Sequence, residues 1–397
     1  MALSRIAQHV QPSATMAVDA RARQLVRDGV DVVAFTVGEP DFDTPDHIKE
    51  AGCRAIRDGF TKYTAPAGMP ELRAAVARKF RTDNALDCTP EQVLVSNGGK
   101  QTIYMILLAL VQPGDQVLLP APYWVSYADQ ARMCGAEPVA IDCSTDPDMK
   151  LTPDRLEAAC TDRARLLVLN SPCNPTGAVL TEDELRPLVE IALAHDLWIL
   201  SDEIYEKLIY DGLQHVSPAS FGRRAMEKVV TVNGVSKTYA MTGWRIGYAA
   251  GPRDVIAAAV KLQSNLSSGP NSMAQKAALE ALTGPQASVD RMREAFDRRR
   301  RLIVDGLNAI PGVRCAMPQG AFYAFADCRA LLGKTYGDHP VDNSVELCEA
   351  LLDQVHVAAV PGIAFGVDGY VRFSYATSEQ TIRRGLERLA RFAAGGR

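Results

Sequence analysis

Paired cysteines are missing from this sequence of 397 residues. Its nine cysteines are scattered singly, without a Cys-x-x-Cys pair, and its six histidines do not stand at metal-ligand spacing. An odd and unclustered set of cysteines in a long chain is typical of reduced, mostly buried thiols. The sequence therefore argues against a disulfide framework and against a structural metal, and no metal-binding residue is predicted.

Long apolar runs and an excess of basic charge are missing as well. The longest apolar run covers residues 103–111, whereas a membrane-spanning helix needs about 20 residues. The N-terminus lacks the basic and apolar regions of a signal peptide, and the formal net charge is −4. We therefore expect a cytoplasmic protein with no membrane partner and no nucleic-acid partner.

Short apolar runs alternate with helical stretches from about residue 90 onwards. The runs predicted as strands cover residues 92–96, 116–119, 138–141, 165–169, 197–200, 228–232 and 245–248. Helices are predicted between most of them, for example over residues 181–195, which open with the capping-box pattern Thr-Glu-Asp-Glu. Continuous apolar strands that alternate with helices indicate a largely parallel sheet covered on both faces, so the predicted fold class is α/β.

The pattern changes after about residue 285. A long charged helix is predicted over residues 288–310, and strand-like runs at 321–325, 357–360 and 370–374 are mixed with a helix that begins at Ser344. This mixture indicates a second, smaller α+β domain. Four consecutive arginines at 298–301 would fan around the helix axis, and we expect them to form a solvated face.

Polar residues after the predicted strands are the first candidates for chemistry, because ligands of an open parallel sheet bind beyond the carboxyl ends of its strands. Lys237 follows the run at 228–232. Burial there would lower its pKa and free the amine to form a Schiff base with a carbonyl group, although the spacing alone favours a surface lysine. Asp202 and Tyr205 follow the run at 197–200 and could bind a cationic ring nitrogen and a ring oxygen, or Asp202 could cap the next helix.

Three further segments offer ligand-binding groups. Gly99 and Lys100 lie at a strand-to-helix turn, where free N–H groups could bind a phosphate. Asn174 stands in a turn between two prolines, and Trp124 offers an aromatic plane, but plain turn chemistry and a core tryptophan explain each of them alone. Neither dinucleotide nor Walker glycine pattern is present, which disfavours a nicotinamide dehydrogenase. Together these groups predict a pyridoxal phosphate site.

Eight short motifs carry a resemblance that covers nearly the whole chain. They are Gly-Glu-Pro-Asp-Phe at 38–42, Lys-Tyr-Thr at 62–64, Pro-Tyr-Trp at 122–124, Asn-Ser-Pro-Cys-Asn-Pro-Thr-Gly at 170–177, Ser-Asp-Glu-Ile-Tyr at 201–205, Ser-Lys at 236–237, Met-Thr-Gly-Trp-Arg at 241–245 and Arg-Phe-Ser-Tyr-Ala at 372–376. With these motifs the chain resembles the class I aminotransferases of pyridoxal-phosphate fold type I. It is most similar to the bacterial aspartate aminotransferase group, some members of which also accept prephenate.

This resemblance implies a large domain with a mostly parallel seven-stranded sheet flanked by helices, and a smaller α+β domain. It places an N-terminal arm and part of the small domain in residues 1–45, the large cofactor-binding domain in residues 46–285 and the small C-terminal domain in residues 286–397. It also implies a homodimer with shared active sites, since the partner subunit's Tyr63 would reach the cofactor phosphate.

The resemblance further implies pyridoxal 5′-phosphate as the cofactor and assigns residues to it. Lys237 would hold the cofactor covalently and carry the proton during catalysis, Asp202 would pair with the ring nitrogen, and Tyr205 would bond the 3-oxygen. The other cofactor contacts would come from Asn174, Trp124, Ser236, Arg245, Gly99, Lys100 and the partner subunit's Tyr63.

Substrate contacts are implied in the same way. Arg372 would bind the α-carboxylate in a bidentate fork, a geometry that lysine cannot supply. The other substrate contacts would come from Gly38, Trp124, Asn174, Lys100, Ser13 and Thr15. Among these, Lys100 would meet the distal carboxylate of a dicarboxylic substrate, with Ser13 and Thr15 as hydroxyl donors.

Conversion of L-aspartate and 2-oxoglutarate to oxaloacetate and L-glutamate, by a ping-pong mechanism, is the reaction that the resemblance implies. Prephenate or arogenate would be further substrates. Gln11, in place of a usual lysine, and Leu266, in place of a small polar residue, depart from the group. They leave open an aminotransferase that prefers aromatic or neutral amino acids, and a pyridoxal-phosphate-dependent C–S lyase is the other alternative.

Overall fold

The computed structural model describes residue 4, residues 7–8 and residues 14–395. Its α-helices are α1 (Ala14–Arg27), α2 (Asp46–Arg57), α3 (Pro70–Asn84), α4 (Gly99–Leu110), α5 (Ser126–Met133), α6 (Pro153–Ala159), α7 (Glu182–Ala194), α8 (Arg223–Met226), α9 (Arg253–Ser267), α10 (Ser272–Thr283), α11 (Ala287–Asn308), α12 (Ser344–Val355) and α13 (Glu379–Ala394). Its strands are β1 (Val33–Ala34), β2 (Val93–Ser96), β3 (Gln116–Ala121), β4 (Glu137–Asp142), β5 (Ala164–Asn170), β6 (Trp198–Asp202), β7 (Val229–Gly234), β8 (Gly247–Ala250), β9 (Arg314–Cys315), β10 (Tyr323–Asp327), β11 (Lys334–Tyr336), β12 (His339–Val341), β13 (Val357–Ala358), β14 (Val360–Pro361) and β15 (Tyr370–Ser374). None of the helices formed by these residues is long and apolar enough to cross a membrane.

Residues 93–250 contain the strands of a seven-stranded sheet, which has the order β2-β8-β7-β6-β5-β3-β4. Its strands are parallel except for β8, which runs antiparallel to both β2 and β7. Each apolar run predicted as a strand between residues 92 and 248 forms one strand of this sheet, so the predicted α/β fold is confirmed. The register pairs Asn170 of β5 with Asp202 of β6, which aligns the carboxyl ends of these strands at one edge.

Apolar cores cover both faces of this sheet. Val93 and Val95 of β2 belong to one core, together with residues of α3, α7 and α10, whereas Leu94 belongs to the other core, beneath α4 and α9. This alternation follows from the two-residue period of a strand, and burial of each such side chain contributes about 1.5–3 kcal/mol. Because both faces are covered mainly by apolar side chains, we expect the polar groups of a site to converge at the strand ends.

A smaller antiparallel sheet with the order β14-β15-β10-β9 lies in the C-terminal part, next to a core to which α11, α12 and α13 contribute. Its register places Arg372 of β15 between Phe325 of β10 and Val360 of β14. Strand β1 pairs in parallel with β13, so residues 33–34 join this part of the structure. The domain limits at residues 45 and 285 stay a prediction.

The expectation that the arginines at 298–301 form a solvated face is wrong for two of them. Arg300 is fully buried, donates to both carboxylate oxygens of Asp211 at 2.7 and 2.8 Å, and donates to the Pro318 carbonyl at 2.8 Å. Arg299 is 11% exposed in its side chain and forms a bidentate pair with Asp41 at 2.7 and 3.0 Å. The partners come from distant segments, which helical periodicity alone cannot reveal.

Candidate active site

A cavity of about 410 Å³ lies at the carboxyl ends of β5, β6 and β7. The predicted site residues that line it are Gly38, Gly99, Lys100, Trp124, Asn174, Asp202, Tyr205, Ser236, Lys237, Arg245 and Arg372. A larger cavity, about 690 Å³, lies beside β9 and β10 and is lined by none of these residues. The smaller cavity is therefore the candidate active site.

Lys237 projects into this cavity just after β7, which ends at Gly234. Its Nζ donates a hydrogen bond to the Gly38 carbonyl at 2.5 Å. Burial lowers the pKa of Lys237 to about 8, so about one tenth of the molecules carry a neutral amine at pH 7, far more than for an exposed lysine. A neutral amine held in place by one carbonyl is the state that a nucleophilic lysine requires.

Asp202 is the last residue of β6 and is 5% exposed. Burial raises the pKa of Asp202 to about 6, while the Tyr127 hydroxyl donates to its Oδ2 at 2.6 Å. A cation brought to this carboxylate would favour its ionised form. Sequence analysis did not single out Tyr127, although its position three residues after Trp124 puts the two rings in contact, edge to face, with centroids 5.2 Å apart.

Positive groups gather at the start of α4. Gly98, with φ of +87°, leads into the helix, and the first N–H groups of a helix have no acceptor within it. A Cβ on Gly98 would lie 2.8 Å from Cζ of Arg245, so the guanidinium packs directly on this turn. Burial, followed by the charge of Arg245, lowers the pKa of Lys100, whose Nζ lies 4.9 Å from the Trp124 ring centroid. This end of the cavity suits an anion.

Arg372 supplies a second positive group and is only 3% exposed. Its Nη1 donates to Oδ1 of Asn174 at 3.0 Å and its Nη2 donates to the Thr36 carbonyl at 2.8 Å. Its Nε finds no hydrogen-bond partner, and the guanidinium forms no ion pair, within the part of the chain that the structure describes. A buried guanidinium without a counter-ion is costly, and a carboxylate in the cavity would satisfy it.

Two tyrosines connect the arginine to the rest of the cavity. The Tyr205 and Tyr323 hydroxyl oxygens are 2.8 Å apart, and the Tyr323 ring centroid lies 4.5 Å from Cζ of Arg372. Sequence analysis predicted a strand through Tyr323 but assigned it no role. The signal it lacked is the sheet register, which opposes Tyr323 to Ser374 and thereby directs its side chain towards the cavity.

Two residues named in the sequence analysis, Tyr63 and Leu266, do not line the cavity, and three others have side chains outside the described part of the structure. Tyr63 is 95% exposed, and Leu266 is exposed near the end of α9. Thr15 belongs to α1, but its side chain lies outside the described part of the structure, and Ser13 and Gln11 are outside the described residues. The roles predicted for these residues therefore stay predictions.

A second polar cluster lies behind Asp202. Glu203, Glu206 and His215 bring three possible metal ligands within 4.8 Å of one another. The Asn84 amide donates to both carboxylates at 2.8 and 2.7 Å, His215 Nε2 lies 2.8 Å from Glu203, and Lys79 is ion-paired with Glu206. These donors already match the two carboxylates, so the cluster suits a buried ion-pair network better than a metal ion.

Comparison with known proteins agrees with this arrangement. The chain matches the family described as Aminotransferase class I and II over residues 30–389. An aspartate/prephenate aminotransferase from Cereibacter sphaeroides is 47% identical over 395 residues, 99% of either chain. The crystal structure of an aspartate aminotransferase from Rhizobium meliloti, 43% identical, superposes with a TM-score of 0.96 over 100% of both chains. The structure of the Thermus thermophilus aspartate aminotransferase with maleate is 46% identical in sequence. It superposes with a TM-score of 0.93 and covers 99% of this chain and 100% of its own. The resemblance carried by the motifs is thus confirmed, and the chain belongs to the class I and II aminotransferases.

Proposed function

We propose that this chain is a pyridoxal-phosphate-dependent aminotransferase that converts L-aspartate and 2-oxoglutarate to oxaloacetate and L-glutamate. The observation that carries the proposal is the buried guanidinium of Arg372, which has no ion pair among the described residues and lines the same cavity as the amine of Lys237 and the carboxylate of Asp202. The α-carboxylate of an amino acid could bind to the Arg372 guanidinium, and the Lys237 amine could then move its Cα proton. Relatives that are named aspartate or aspartate/prephenate aminotransferase support the choice of substrate.

The residues around the cavity suit pyridoxal 5′-phosphate. Asp202, with a pKa near 6 in the protein alone, would ionise fully beside a positively charged ring nitrogen. The N–H groups at Gly99, together with Arg245 and Ser236, would hold the phosphate, and Trp124 offers an aromatic face. When bound, this cofactor supplies an electron sink for negative charge at the substrate Cα.

Proton transfer and binding of the substrate carboxylate would be carried out by side chains of this chain. Lys237 Nζ would take the proton from Cα, because burial keeps its pKa near 8 and the Gly38 carbonyl orients it. Arg372 would hold the α-carboxylate, since its Nε has no partner within the described ranges and its two Nη atoms are fixed by Asn174 and Thr36. A fixed guanidinium presents its donors with little loss of side-chain freedom.

Lys100 is the proposed partner of the distal carboxylate of aspartate. It lines the cavity and is held against Trp124, so a second carboxylate could meet its ammonium group. Replacement by glutamine should slow the reaction of aspartate by about 10- to 150-fold, the equivalent of one charge-assisted hydrogen bond. Alanine, which has no distal carboxylate, should react at an unchanged rate, and equal slowing of both amino acids would reject this role.

A homodimer is proposed as the working form. Tyr63 is almost fully exposed, and the segment after it packs against the end of α9, where Gln263 donates to the Pro66 carbonyl at 2.6 Å. Leu266 is exposed on the same helix, so an aromatic and an aliphatic side chain are available for a second copy. A cytoplasmic location stays a prediction.

Mixed dimers test whether Tyr63 serves the site of the other subunit. A Lys237→Ala chain and a Tyr63→Phe chain are refolded together, and cofactor phosphate affinity and activity are compared with those of each parent. If Tyr63 acts across the interface, the mixed dimer contains one intact site and regains wild-type behaviour at that site. If Tyr63 acts within its own chain, or not at all, mixing restores nothing.

Single-turnover spectroscopy of the cofactor-loaded protein tests the function itself. The protein is mixed separately with aspartate, glutamate, phenylalanine, alanine and arogenate, and loss of the bound-cofactor absorbance reports the first half-reaction for each donor. Rapid conversion by aspartate and glutamate supports the proposal, with Lys237→Ala as the inactive control. Conversion by phenylalanine or alanine alone would keep the enzyme class and overturn the substrate. Thiol release from a β-thio-substituted alanine without an oxo acid would instead identify a C–S lyase.

A further inference from the structure

One buried side chain, that of Tyr323, touches three groups to which the proposed function gives separate roles. Its hydroxyl lies 2.8 Å from that of Tyr205, and its ring lies under the Arg372 guanidinium at 4.5 Å. The same hydroxyl occupies the space beside Gly38, where an added Cβ would come within 2.8 Å of it. Tyr323 itself is 1% exposed, so these contacts are screened from water.

Each tyrosine hydroxyl has a single proton to donate, and this fixes the direction of their hydrogen bond once the cofactor is bound. Burial raises the pKa of both Tyr205 and Tyr323, so each hydroxyl keeps its single proton. In the free protein either hydroxyl can be the donor. If Tyr205 gives its proton to the cofactor oxygen, the only proton left for the 2.8 Å contact is that of Tyr323.

We propose that Tyr323 is a positioning residue, whose hydroxyl donates to Tyr205 and so strengthens the hydrogen bond from Tyr205 to the 3-oxygen of the bound cofactor. This inference rests on the proposed function, because it requires the cofactor oxygen as the last acceptor. Hydrogen bonds in a chain polarise one another, and a donor that itself accepts a hydrogen bond becomes stronger. The contact with Arg372 means that the same ring also supports the group that would bind the substrate carboxylate.

A measurable consequence concerns the pH at which the bound-cofactor absorbance changes. Donation from Tyr205 favours the anionic form of the cofactor oxygen and therefore lowers that midpoint. Tyr323→Phe removes one oxygen atom and keeps the ring under Arg372. Tyr205 therefore loses only the hydrogen bond that it would accept from the Tyr323 hydroxyl. We expect the midpoint to rise by a few tenths of a pH unit, which is about one tenth to one third of the effect of a charge-assisted hydrogen bond.

The decisive experiment is a double-mutant cycle on this midpoint. Wild type, Tyr323→Phe, Tyr205→Phe and the double variant are loaded with pyridoxal 5′-phosphate and titrated by absorbance. If Tyr323 acts through Tyr205, Tyr323→Phe raises the midpoint in the wild-type background and has no effect once the Tyr205 hydroxyl is absent. A shift of equal size in both backgrounds, or no shift in either, would overturn the inference.

A matched control separates this role from the general loss of a buried hydroxyl. Tyr210 is 4% exposed, and its hydroxyl donates to the Ala321 carbonyl, outside the cavity. Tyr210→Phe should change thermal stability in a similar way to Tyr323→Phe and leave the spectroscopic midpoint in place. A midpoint that moved equally in both variants would also overturn the inference. Failure of the wild type to take up the cofactor would reject the proposed function itself and is seen before any variant is compared.

Discussion

Replacement of Arg372 by lysine tests whether this side chain binds the substrate α-carboxylate. In the structure Nη1 is held by Asn174 at 3.0 Å, Nη2 is held by the Thr36 carbonyl at 2.8 Å, and Nε has no partner among the described residues. Lysine keeps the positive charge and has one nitrogen in place of three. It cannot keep both anchors and also present a two-donor fork to a carboxylate.

The size of the effect follows from the hydrogen bonds that are lost. One charge-assisted hydrogen bond contributes about 1.5–3 kcal/mol, which corresponds to roughly a 10- to 150-fold fall in kcat/KM. Aspartate and alanine both carry an α-carboxylate and should lose the same factor. Loss of the contact with the Tyr323 ring, about 0.5–2 kcal/mol, would appear in thermal unfolding and not in the choice between substrates.

The assay is single-turnover conversion of the loaded variant with aspartate, alanine and ethylamine, the last of which has no carboxylate. Ethylamine should react equally slowly with wild type and Arg372→Lys. An equal fall for all three donors would refute the reasoning, because the loss could not then be assigned to the carboxylate. Arg329→Lys is the matched control: Arg329 is 64% exposed in its side chain, and its replacement should leave every rate unchanged.

Two further predictions concern the anion end of the cavity and the cluster behind it. Gly98→Ala should reduce cofactor affinity, measured by equilibrium dialysis, by at least about 10-fold, because the added Cβ would displace the Arg245 guanidinium. Gly222→Ala is the control, since Gly222 has a φ of +103° and no atom lies within 4 Å of the added Cβ. This control should show the same backbone strain in unfolding experiments and a normal cofactor affinity. Burial opposes charge on His215, yet the Glu203 carboxylate outweighs it and raises the pKa of His215. The ion pair therefore stabilises the fold fully below about pH 6.5 and loses its effect as the pH rises through the raised pKa. His215→Gln should cost about 3 kcal/mol of unfolding free energy at the acidic end and progressively less at higher pH, whereas a pH-independent difference in denaturant unfolding would contradict the assignment.

The large sheet could be predicted from the sequence because each of its strands is indicated by the order of apolar residues within a few neighbouring positions. The run at residues 165–169, which is apolar after Arg165 and lies between helical stretches, is typical of a strand buried on both faces, and it lies within β5. Asn170 and Asp202, at the ends of adjacent strands, were predictable neighbours for the same reason, and the register pairs them. The motifs then placed Lys237 at the same edge, where spacing alone favoured a surface position.

Features that depend on distant packing could not be predicted in this way. Burial of Arg300 depends on Asp211, which lies 89 positions earlier in the chain. The contact of Tyr323 with Tyr205 spans 118 positions and needs the docking of the second sheet against the loop after β6. Tyr127 reaches Asp202 only because α5 begins at Ser126 and turns its first residues towards the cavity.

The buried position of Arg300 has a consequence for how this chain unfolds. Its guanidinium, on α11, donates to both carboxylate oxygens of Asp211, which belongs to the loop after β6, and is also ion-paired with Asp297 on its own helix. Separating these segments would therefore break the bidentate pair with Asp211 and leave Arg300 with its intrahelical partner. Such a penalty disfavours states in which the C-terminal part is melted while the large sheet persists. We therefore expect the C-terminal part and the large sheet to lose their structure together, so that spectroscopic probes placed in the two parts show coincident transitions.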